Sequence, residues 1–192
     1  MADVSEERTV WVLIILVILV VVVAALLIAN YNGLVGLRNK IEAAYSQIDV
    51  QLNRRHSLIP NLVETVKGYA AHEAGTLEKV VQARNVAMNA NGVADKAQAE
   101  NAITGALKSV FALSEAYPDL KANANFQQLQ AELSSTEDRI AYARQYYNDI
   151  VRAYNTKIQA FPSNLIANAF KFTEREYFQA DNEARGDVQV QF

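Results

Sequence analysis

The chain contains no cysteine, and its 192 residues include only seven glycines, three prolines and two histidines. The missing cysteines exclude disulfides, thiolate metal sites, iron–sulfur clusters and a cysteine nucleophile. So few glycines and prolines argue against a β architecture with many turns and favour long helices. The length suits one domain with an appendage, and two large domains would not fit.

An excess of positive charge is also missing. The 18 Lys and Arg residues are outnumbered by 21 Asp and Glu residues, which gives a formal net charge of −3. Domains that bind nucleic acid ordinarily carry a basic surface, and platforms for single strands place rings among basic residues. The rings of the C-terminal third lie among charges of both signs. We therefore expect no nucleic-acid partner and assign these rings to a helical core.

One long apolar run, residues 10–29, reads VWVLIILVILVVVVAALLIA and contains no charge. A helix of that length measures about 30 Å, which matches the hydrocarbon thickness of a bilayer. A cleaved signal peptide fits poorly, because the preceding segment is acidic, the run is too long and no Ala-x-Ala site follows. The run therefore predicts a retained transmembrane helix, with the lipid bilayer as a partner.

The charges that flank this run predict its orientation. Arg8 is the only basic residue before the run, and three acidic residues accompany it. Four basic residues soon follow the run: Arg38, Lys40, Arg54 and Arg55. Because the positive side of a span stays cytoplasmic, we expect a single-pass protein of the cell membrane with residues 1–9 outside and the C-terminal domain in the cytoplasm.

Apolar residues between Leu34 and Ala90 recur at steps of three and four, which is typical of the seam of a bundle or coiled-coil helix. Pro60 interrupts the backbone and leaves the register intact. The alternatives are one kinked helix and a break with Ser57 as the N-cap, and the kinked helix is the interpretation that we favour.

Helix-breaking residues divide the rest of the chain. Asn91-Gly92 is typical of a helix end, and Asp95 with Gln98 resembles a capping box that opens a second helix. A third, longer helix is expected between the prolines at 118 and 162. A short helix over 165–171, capped by the residue at 163 or 164, is expected after it.

These elements predict an all-α protein: an N-terminal single transmembrane helix followed by an up-and-down bundle of three to four long antiparallel helices plus a short C-terminal helix. The predicted parts are an extracytoplasmic N-terminus at 1–9, the span at 10–29, the bundle domain at 31–178 and a polar tail at 179–192.

Patterns that carry catalytic chemistry are missing. His56 and His72 are 16 residues apart, and on one helix this spacing would put them on nearly opposite faces. The sequence has no Glu-x-x-His pair, no HExxH and no phosphate-binding glycine loop. We expect both histidines to be solvated or at the edge of a core. The sequence predicts no catalytic, cofactor or metal site, no cofactor and no enzymatic activity.

Arg55 falls where the seam calls for an apolar residue. One interpretation is a buried pair with a carboxylate of the third helix, Glu137 or Glu132, that fixes the register of the helices. An arginine that reaches solvent from the edge of the seam is equally compatible. A site for an anionic lipid headgroup is the third and least favoured interpretation.

The final residues, DVQVQF, alternate in polarity, so Val188, Val190 and Phe192 would share one face of a strand. Such a strand could add to the sheet edge of a protein partner or pair with the tail of a neighbouring copy. A disordered end with no binding role is the remaining interpretation.

Several uncommon strings resemble the LemA family, namely QLNRRHSLIPNLVETVKGYAAHE and the long stretch from SEAYPDLKANANF to FPSNLIANAFKF. The ending with Val190 and Phe192 is similar to the Val-x-Phe terminus of that family. The resemblance implies an all-helical bundle behind a single span and no established enzymatic activity. One branch of the family is tied to the formation of magnetosome membranes, which suggests a part in membrane organisation.

Two hypotheses of function remain. The first is a non-enzymatic helical scaffold that is anchored in the membrane and organises or remodels it by self-assembly, as a homo-oligomer. The alternative is an adaptor or regulator of a membrane protease or transporter, engaged through the C-terminal tail. An enzyme is the least favoured class.

Overall fold

The computed structural model of the chain describes residues 2–178, with side chains from Arg8 onward. Six α-helices account for nearly all of this part, and no strand occurs in it. The helices are α1 (Ala2–Lys67), α2 (Ala74–Asn89), α3 (Val93–Ser114), α4 (Pro118–Ala122), α5 (Ala124–Gln159) and α6 (Ser163–Ala169). The all-α class predicted from the sequence is therefore confirmed.

Helix α1 contains both the apolar run and Pro60 within 66 unbroken residues. A proline lacks the N–H that would bond to the carbonyl four residues earlier, which here belongs to His56. The Arg84 side chain of α2 supplies the missing donor, since its Nε–H lies 2.8 Å from the His56 carbonyl oxygen. A side chain of α2 thus donates to the His56 carbonyl, which Pro60 leaves without a backbone donor. Helix α1 continues through the proline.

The predicted single helix from Leu34 to Ala90 is wrong in its extent. Helix α1 ends at Lys67, and a short 3₁₀ turn, Ala71–Glu73, precedes α2. Gly68 follows the last helical residue, and the N–H groups of Tyr69 and Ala70 both donate to the carbonyl of Val66, at 3.0 and 2.8 Å. Glycine weakens helix propagation, so the chain turns here and not at the proline.

Two predicted caps are also corrected. The N-cap of α3 is Gly92, at φ 84°, and Asp95 lies inside the first turn of the helix. A positive φ strains residues that carry a Cβ, and Gly92 adopts it readily because it has none. The N-cap of α6 is Pro162, and Ser163 is the first residue of that helix. Its hydroxyl donates to the Asn30 side-chain oxygen of α1 at 2.8 Å instead of capping α6.

The chain divides into two compact units. The N-terminal unit comprises the described parts of Met1–Ile41 and Arg152–Arg175. The bundle unit comprises the described parts of Glu42–Val151 and Glu176–Phe192. Helices α1 and α5 contribute residues to both units.

The bundle unit is built from α1, α2, α3 and α5, with α4 in the α3–α5 connection. Helices α3 and α5 run antiparallel, because three contacts pair later α3 residues with earlier α5 residues: Asn101 with Arg144, Thr104 with Glu137 and Phe111 with Phe126. Its apolar core includes side chains from all of these helices: Ile59, Leu62, Val66, Leu77, Val80, Ile103, Leu107, Val110, Leu120, Phe126 and Leu133.

After α6 the chain runs extended, and two asparagines of α5 hold it. In the N-terminal unit, the Asn155 amide donates to the carbonyl of Arg175 and accepts from its N–H, both at 2.9 Å. In the bundle unit, Asn148 makes the same two bonds to Phe178, at 2.9 and 2.8 Å. Each amide replaces the backbone partner that a neighbouring strand would provide, so the segment stays fixed without a sheet.

Candidate functional site

The bundle unit contains a polar cluster formed by Arg55, His56, Glu100, Thr104 and Glu137, of which the first three are buried and the last has a side chain that is 37% exposed. Arg55 is 0% exposed and is among the largest fully buried side chains. Its guanidinium reaches two other helices, because Nη1 contacts Thr104 at 3.0 Å and Glu137, while Nη2 contacts the carboxylate of Glu100 and its carbonyl at 3.1 Å. Arg55 thus connects α1 with α3 and α5.

The structure brings together the two residues that the sequence suggested as a register pair, Arg55 and Glu137. The other carboxylate considered, Glu132, lies instead 4.0 Å from the neighbouring Arg54 at the surface. The alternative in which Arg55 is solvated is wrong, since its side chain has no exposed surface. Whether the pair sets the register of the helices stays a prediction, and it is tested below.

Glu100 is the member of the cluster that the sequence analysis missed. Its carboxylate is 0% exposed and contacts both Arg55 and His56. Burial by itself would raise the pKa of this carboxyl, but the hydrogen bond from His56 and the charge of Arg55 outweigh it and hold the pKa below its ordinary value. Glu100 is therefore held as a carboxylate inside the core.

A sequence signal for Glu100 did exist. The buried residues of α3 that face the core include Ala97, Ile103, Leu107 and Val110, and Glu100 occupies the position between the first two at the same spacing. A charge at a seam position of α3 is the counterpart of the charge at the seam position of α1. A comparison of the two charged seam positions, Arg55 in α1 and Glu100 in α3, would have suggested that they form an ion pair.

His56 lies at the edge of the core, as expected, and is 7% exposed. Its Nε2 is 2.7 Å from Oε1 of Glu100. The hydroxyl of Thr104 donates to the other carboxylate of the cluster, with Oγ1 3.0 Å from Oε1 of Glu137. His72 lies in the 3₁₀ turn and is exposed. The premise that both histidines share one helix is wrong, because α1 ends between them.

The cluster pairs its charges internally. Arg55 offers one positive charge against the two carboxylates, and His56 contacts one of them. Among residues 8–178 no group of three or more His, Cys, Asp and Glu side chains is placed to hold a metal ion. What this geometry can do is to make any sliding of α1, α3 or α5 costly, because a shifted helix would leave a buried charge without its partner.

The second candidate feature is the apolar run in α1. Large side chains from Val10 to Ile28 are exposed, with exposed fractions between 43% for Ile14 and 64% for Ile15. A core helix of a soluble protein would bury such residues against its own chain. This is the one stretch among the described residues that is long and apolar enough to cross a membrane.

The predicted tail residues, Val188, Val190 and Phe192, lie outside the described part of the chain. The last described residue is Phe178, whose ring meets Tyr147 at 6.4 Å between centroids and lies 4.8 Å from the guanidinium carbon of Arg144. The tail therefore begins directly after a well-held residue of the bundle unit.

Comparison with known proteins decides the family. The model of the LemA family matches residues 44–192, which include the bundle unit, the extended segment and the tail. The chain belongs to the LemA family. The match confirms the resemblance seen in the sequence strings.

Named relatives of this LemA-family chain fall into two groups. Protein LemA of Metamycoplasma hominis is 32% identical over 161 residues, which cover 82% of this chain and 72% of the relative. Magnetosome protein MamQ 2 of Paramagnetospirillum magneticum is 28% identical and MamQ of Magnetospirillum gryphiswaldense is 26% identical. The matches cover 66% and 65% of these two proteins, so the chain spans about two thirds of their length. None of these names describes an enzymatic activity.

Proposed function

We propose that this chain is a membrane-anchored, non-enzymatic helical scaffold that organises or remodels membrane by self-assembly. The observation that carries the proposal is the continuity of α1. The same helix supplies an exposed apolar stretch of membrane-spanning length and one wall of a well-packed bundle core. One helix thus contributes both a stretch suited to lipid and part of the core of a water-soluble bundle.

The proposed orientation places the residues after the span in the cytoplasm. The charges of the N-terminal unit are in keeping with this orientation. Beyond the apolar run, this unit contains six basic residues and a single acidic one, Glu174. The basic residues are Arg38, Lys40, Arg152, Lys157, Lys171 and Arg175. The positive-inside rule counts charges within about 15 to 20 residues of a span along the chain, so Arg38 and Lys40 are the two that favour this side as the cytoplasmic one.

The non-enzymatic part of the proposal follows from the polar cluster. Its titratable groups contact one another in the core, with Arg55 and Glu100 fully buried. A general acid or base has to reach a substrate, and a nucleophile needs a neighbouring base. Groups that are held by one another in this way, with Glu137 the one carboxylate that reaches solvent, serve packing and register better than chemistry.

The test of the scaffold is the composition of the assembly. Full-length protein is extracted in mild detergent, transferred to lipid nanodiscs and sized by light scattering, and the proteins that travel with it are identified by mass spectrometry. Multimers of this chain alone would support the scaffold. A monomer without companions would contradict it, and turnover of a substrate by the pure protein would contradict the non-enzymatic assignment.

The second candidate function is an adaptor or regulator of a membrane protease or transporter, engaged through the tail. The specific observation in its favour is that the family match extends to residue 192, so the alternating segment belongs to the matched region. Val190→Asp should then remove a co-purifying partner, because it places a charge on the face shared by Val188 and Phe192. Gln189→Asp, on the opposite face of a strand, is the matched control and should retain it. Loss of the partner with both variants would contradict recognition by one strand face.

A further inference from the structure

Three large apolar side chains around α6 are exposed. Phe161, in the turn before this helix, is 81% exposed, while Leu165 and Phe170 are 59% and 62% exposed. Scattered apolar residues on a surface are normal, but three of them around one seven-residue helix form a patch, here called the α6 patch. Tyr31 contacts Phe170 within it, and more than half of each of the three side chains stays exposed.

The contacts of α6 place this patch at the end of the apolar run. Ser163 donates to Asn30 at 2.8 Å, and the ring of Phe170 lies 4.8 Å from that of Tyr31. Asn30 and Tyr31 directly follow Ala29, the last residue of the run, so they lie about 1.5 to 3 Å beyond it along the helix axis. If the run spans the bilayer, α6 is at the level where hydrocarbon gives way to headgroups.

Towards its C-terminal end, helix α5 comes closer to the apolar run of α1. The ammonium of Lys157, near the end of α5, lies against the backbone at Gly33, where an added Cβ would collide with it. Phe161 comes shortly after, between Lys157 and the contact of Ser163 with Asn30. The most exposed aromatic residue of the N-terminal unit thus lies in the turn that is nearest to the run.

The charges of the N-terminal unit also indicate what the α6 patch contacts. Beyond the run the unit has six basic residues and one acidic residue, although the whole chain has a net charge of −3. One of the basic residues, Lys171, follows Phe170 directly and is exposed. Exposed aromatic and aliphatic side chains flanked by lysine and arginine are the composition of segments that lie in the interface of an anionic membrane.

We propose that the α6 patch inserts into the membrane interface beside α1, as a second and peripheral lipid contact that favours anionic headgroups. This inference rests on the proposed function only in requiring that α1 spans the bilayer. Two contacts with the membrane would restrict the tilt and rotation of the N-terminal unit, which a single helix leaves open.

The experiment measures the depth of single tryptophans in full-length protein. Trp11→Phe first removes the one native tryptophan. One new tryptophan is then introduced at Phe161 in the patch, at Leu19 in the middle of the run, or at Asn39. Asn39 is exposed on α1 and lies about 15 Å beyond Ala29, so it serves as the control outside the hydrocarbon. Each variant is reconstituted into vesicles of phosphatidylcholine and phosphatidylglycerol whose acyl chains carry bromine either near the ester or near the methyl end.

The expected result is quenching at Leu19→Trp by deep bromine, quenching with a blue-shifted emission at Phe161→Trp by shallow bromine, and no quenching at Asn39→Trp. Quenching at Leu19 without quenching at Phe161 would overturn the inference and leave the span intact. A blue shift at Phe161 without bromine quenching would also overturn it, because protein and not lipid would then cover the patch.

Two further outcomes have a defined meaning. Absence of quenching at Leu19 would show that α1 does not enter the bilayer, which overturns the proposed anchor and, with it, the second contact. Equal quenching at Phe161 and Asn39 would mean that the whole unit lies on the membrane, which contradicts a specific patch. Replacing phosphatidylglycerol by phosphatidylcholine should reduce the shallow quenching at Phe161, and an unchanged signal would overturn the preference for anionic headgroups.

Discussion

Helix α1 has two stretches whose apolar side chains have opposite surroundings. Between Val10 and Ile28 they are exposed on every side of the helix, whereas between Ile41 and Val66 most of them form a buried stripe and Val50 is the large one left exposed. The backbone geometry of an α-helix is the same in both, so the difference lies in the side chains. An all-round apolar surface needs an apolar solvent, while a single stripe needs only the neighbouring helices.

Polar groups differ between the two stretches in the same way. The first stretch contains no charge between Val10 and Ala29. The second buries Arg55 in its core and holds it with carboxylates from two other helices. A buried charge is tolerated where a partner can be folded against it, and the lone helix of a single span has no such partner. The comparison therefore makes the first stretch a candidate for crossing lipid, while the second forms part of a specific bundle.

The largest expected effect is an all-or-none difference in labelling across the membrane. The chain has no cysteine, so Ser5→Cys and Gly186→Cys each introduce a single thiol. Because basic residues follow the run, a membrane-impermeant thiol reagent applied to intact cells should label only the first variant. Labelling of only the second would show the opposite orientation. Labelling of both in intact cells would contradict a transmembrane span. Cells opened with detergent, where both thiols should react, are the control.

The next effect concerns the buried charge of the second stretch. Arg55→Ala leaves the carboxylate of Glu100 buried without its cation, so the free energy of unfolding should fall by about 3 kcal/mol. Arg55→Lys should recover only part of this loss, since an ammonium cannot contact both carboxylates in the same planar geometry. Chemical denaturation of the full-length protein in mild detergent measures both.

The adjacent Arg54 provides the matched control for Arg55. Its side chain is 49% exposed and lies 4.0 Å from Glu132 at the surface. Removing an exposed ion pair of this kind should change the free energy of unfolding by at most about 0.5 kcal/mol. Similar losses for Arg54→Ala and Arg55→Ala would contradict the role of the cluster in fixing register.

Much of this architecture was predictable from the sequence, for reasons that differ between residues. The apolar run is recognisable because all-round apolarity needs no knowledge of neighbours. Arg55 stands out because it breaks a seam, and Glu137 was named as a possible partner. Glu100 was missed because the apolar face of α3 was read from hydrophobic residues alone, although a seam position can hold a charge.

The end of α1 was missed for a different reason. Apolar residues keep a helical spacing on both sides of the turn, because Val66 and Leu77 belong to the same core. A periodic pattern reports which residues face that core and does not report whether the helix between them is continuous. The prediction favoured a helix that continues through Pro60 and set a break there as the alternative, whereas the helix ends just before Gly68. The continuity through Pro60 depends on Arg84, which lies in another helix and leaves no local signal.

A smaller effect tests this role of Arg84. Arg84→Ala leaves the His56 carbonyl without the donor that replaces the missing N–H of Pro60, and the expected loss in the free energy of unfolding is about 1 kcal/mol. Pro60→Ala restores a backbone N–H to the same carbonyl. Arg84→Ala should therefore cost less in the Pro60→Ala background than in the native one. Equal losses in the two backgrounds, measured as a double-mutant cycle, would show that the two groups are not coupled.

The smallest effect is a slope in the pH dependence of stability. The contacts of Glu100 with His56 and Arg55 lower the pKa of its carboxyl in the folded chain below the ordinary value of 4.5, despite its burial. The unfolded chain therefore binds more protons at this group, and the stabilisation is fully present above 4.5 and is lost as the pH falls through the lower folded pKa. Glu100→Gln removes this titration, so its free energy of unfolding should fall less steeply in that acidic window than that of the native chain. The difference between the two denaturation series isolates Glu100 from the other carboxylates, which both proteins share. Parallel series would mean that the folded cluster does not favour the carboxylate form, and the ionic description of the bundle core would then give way to a neutral one.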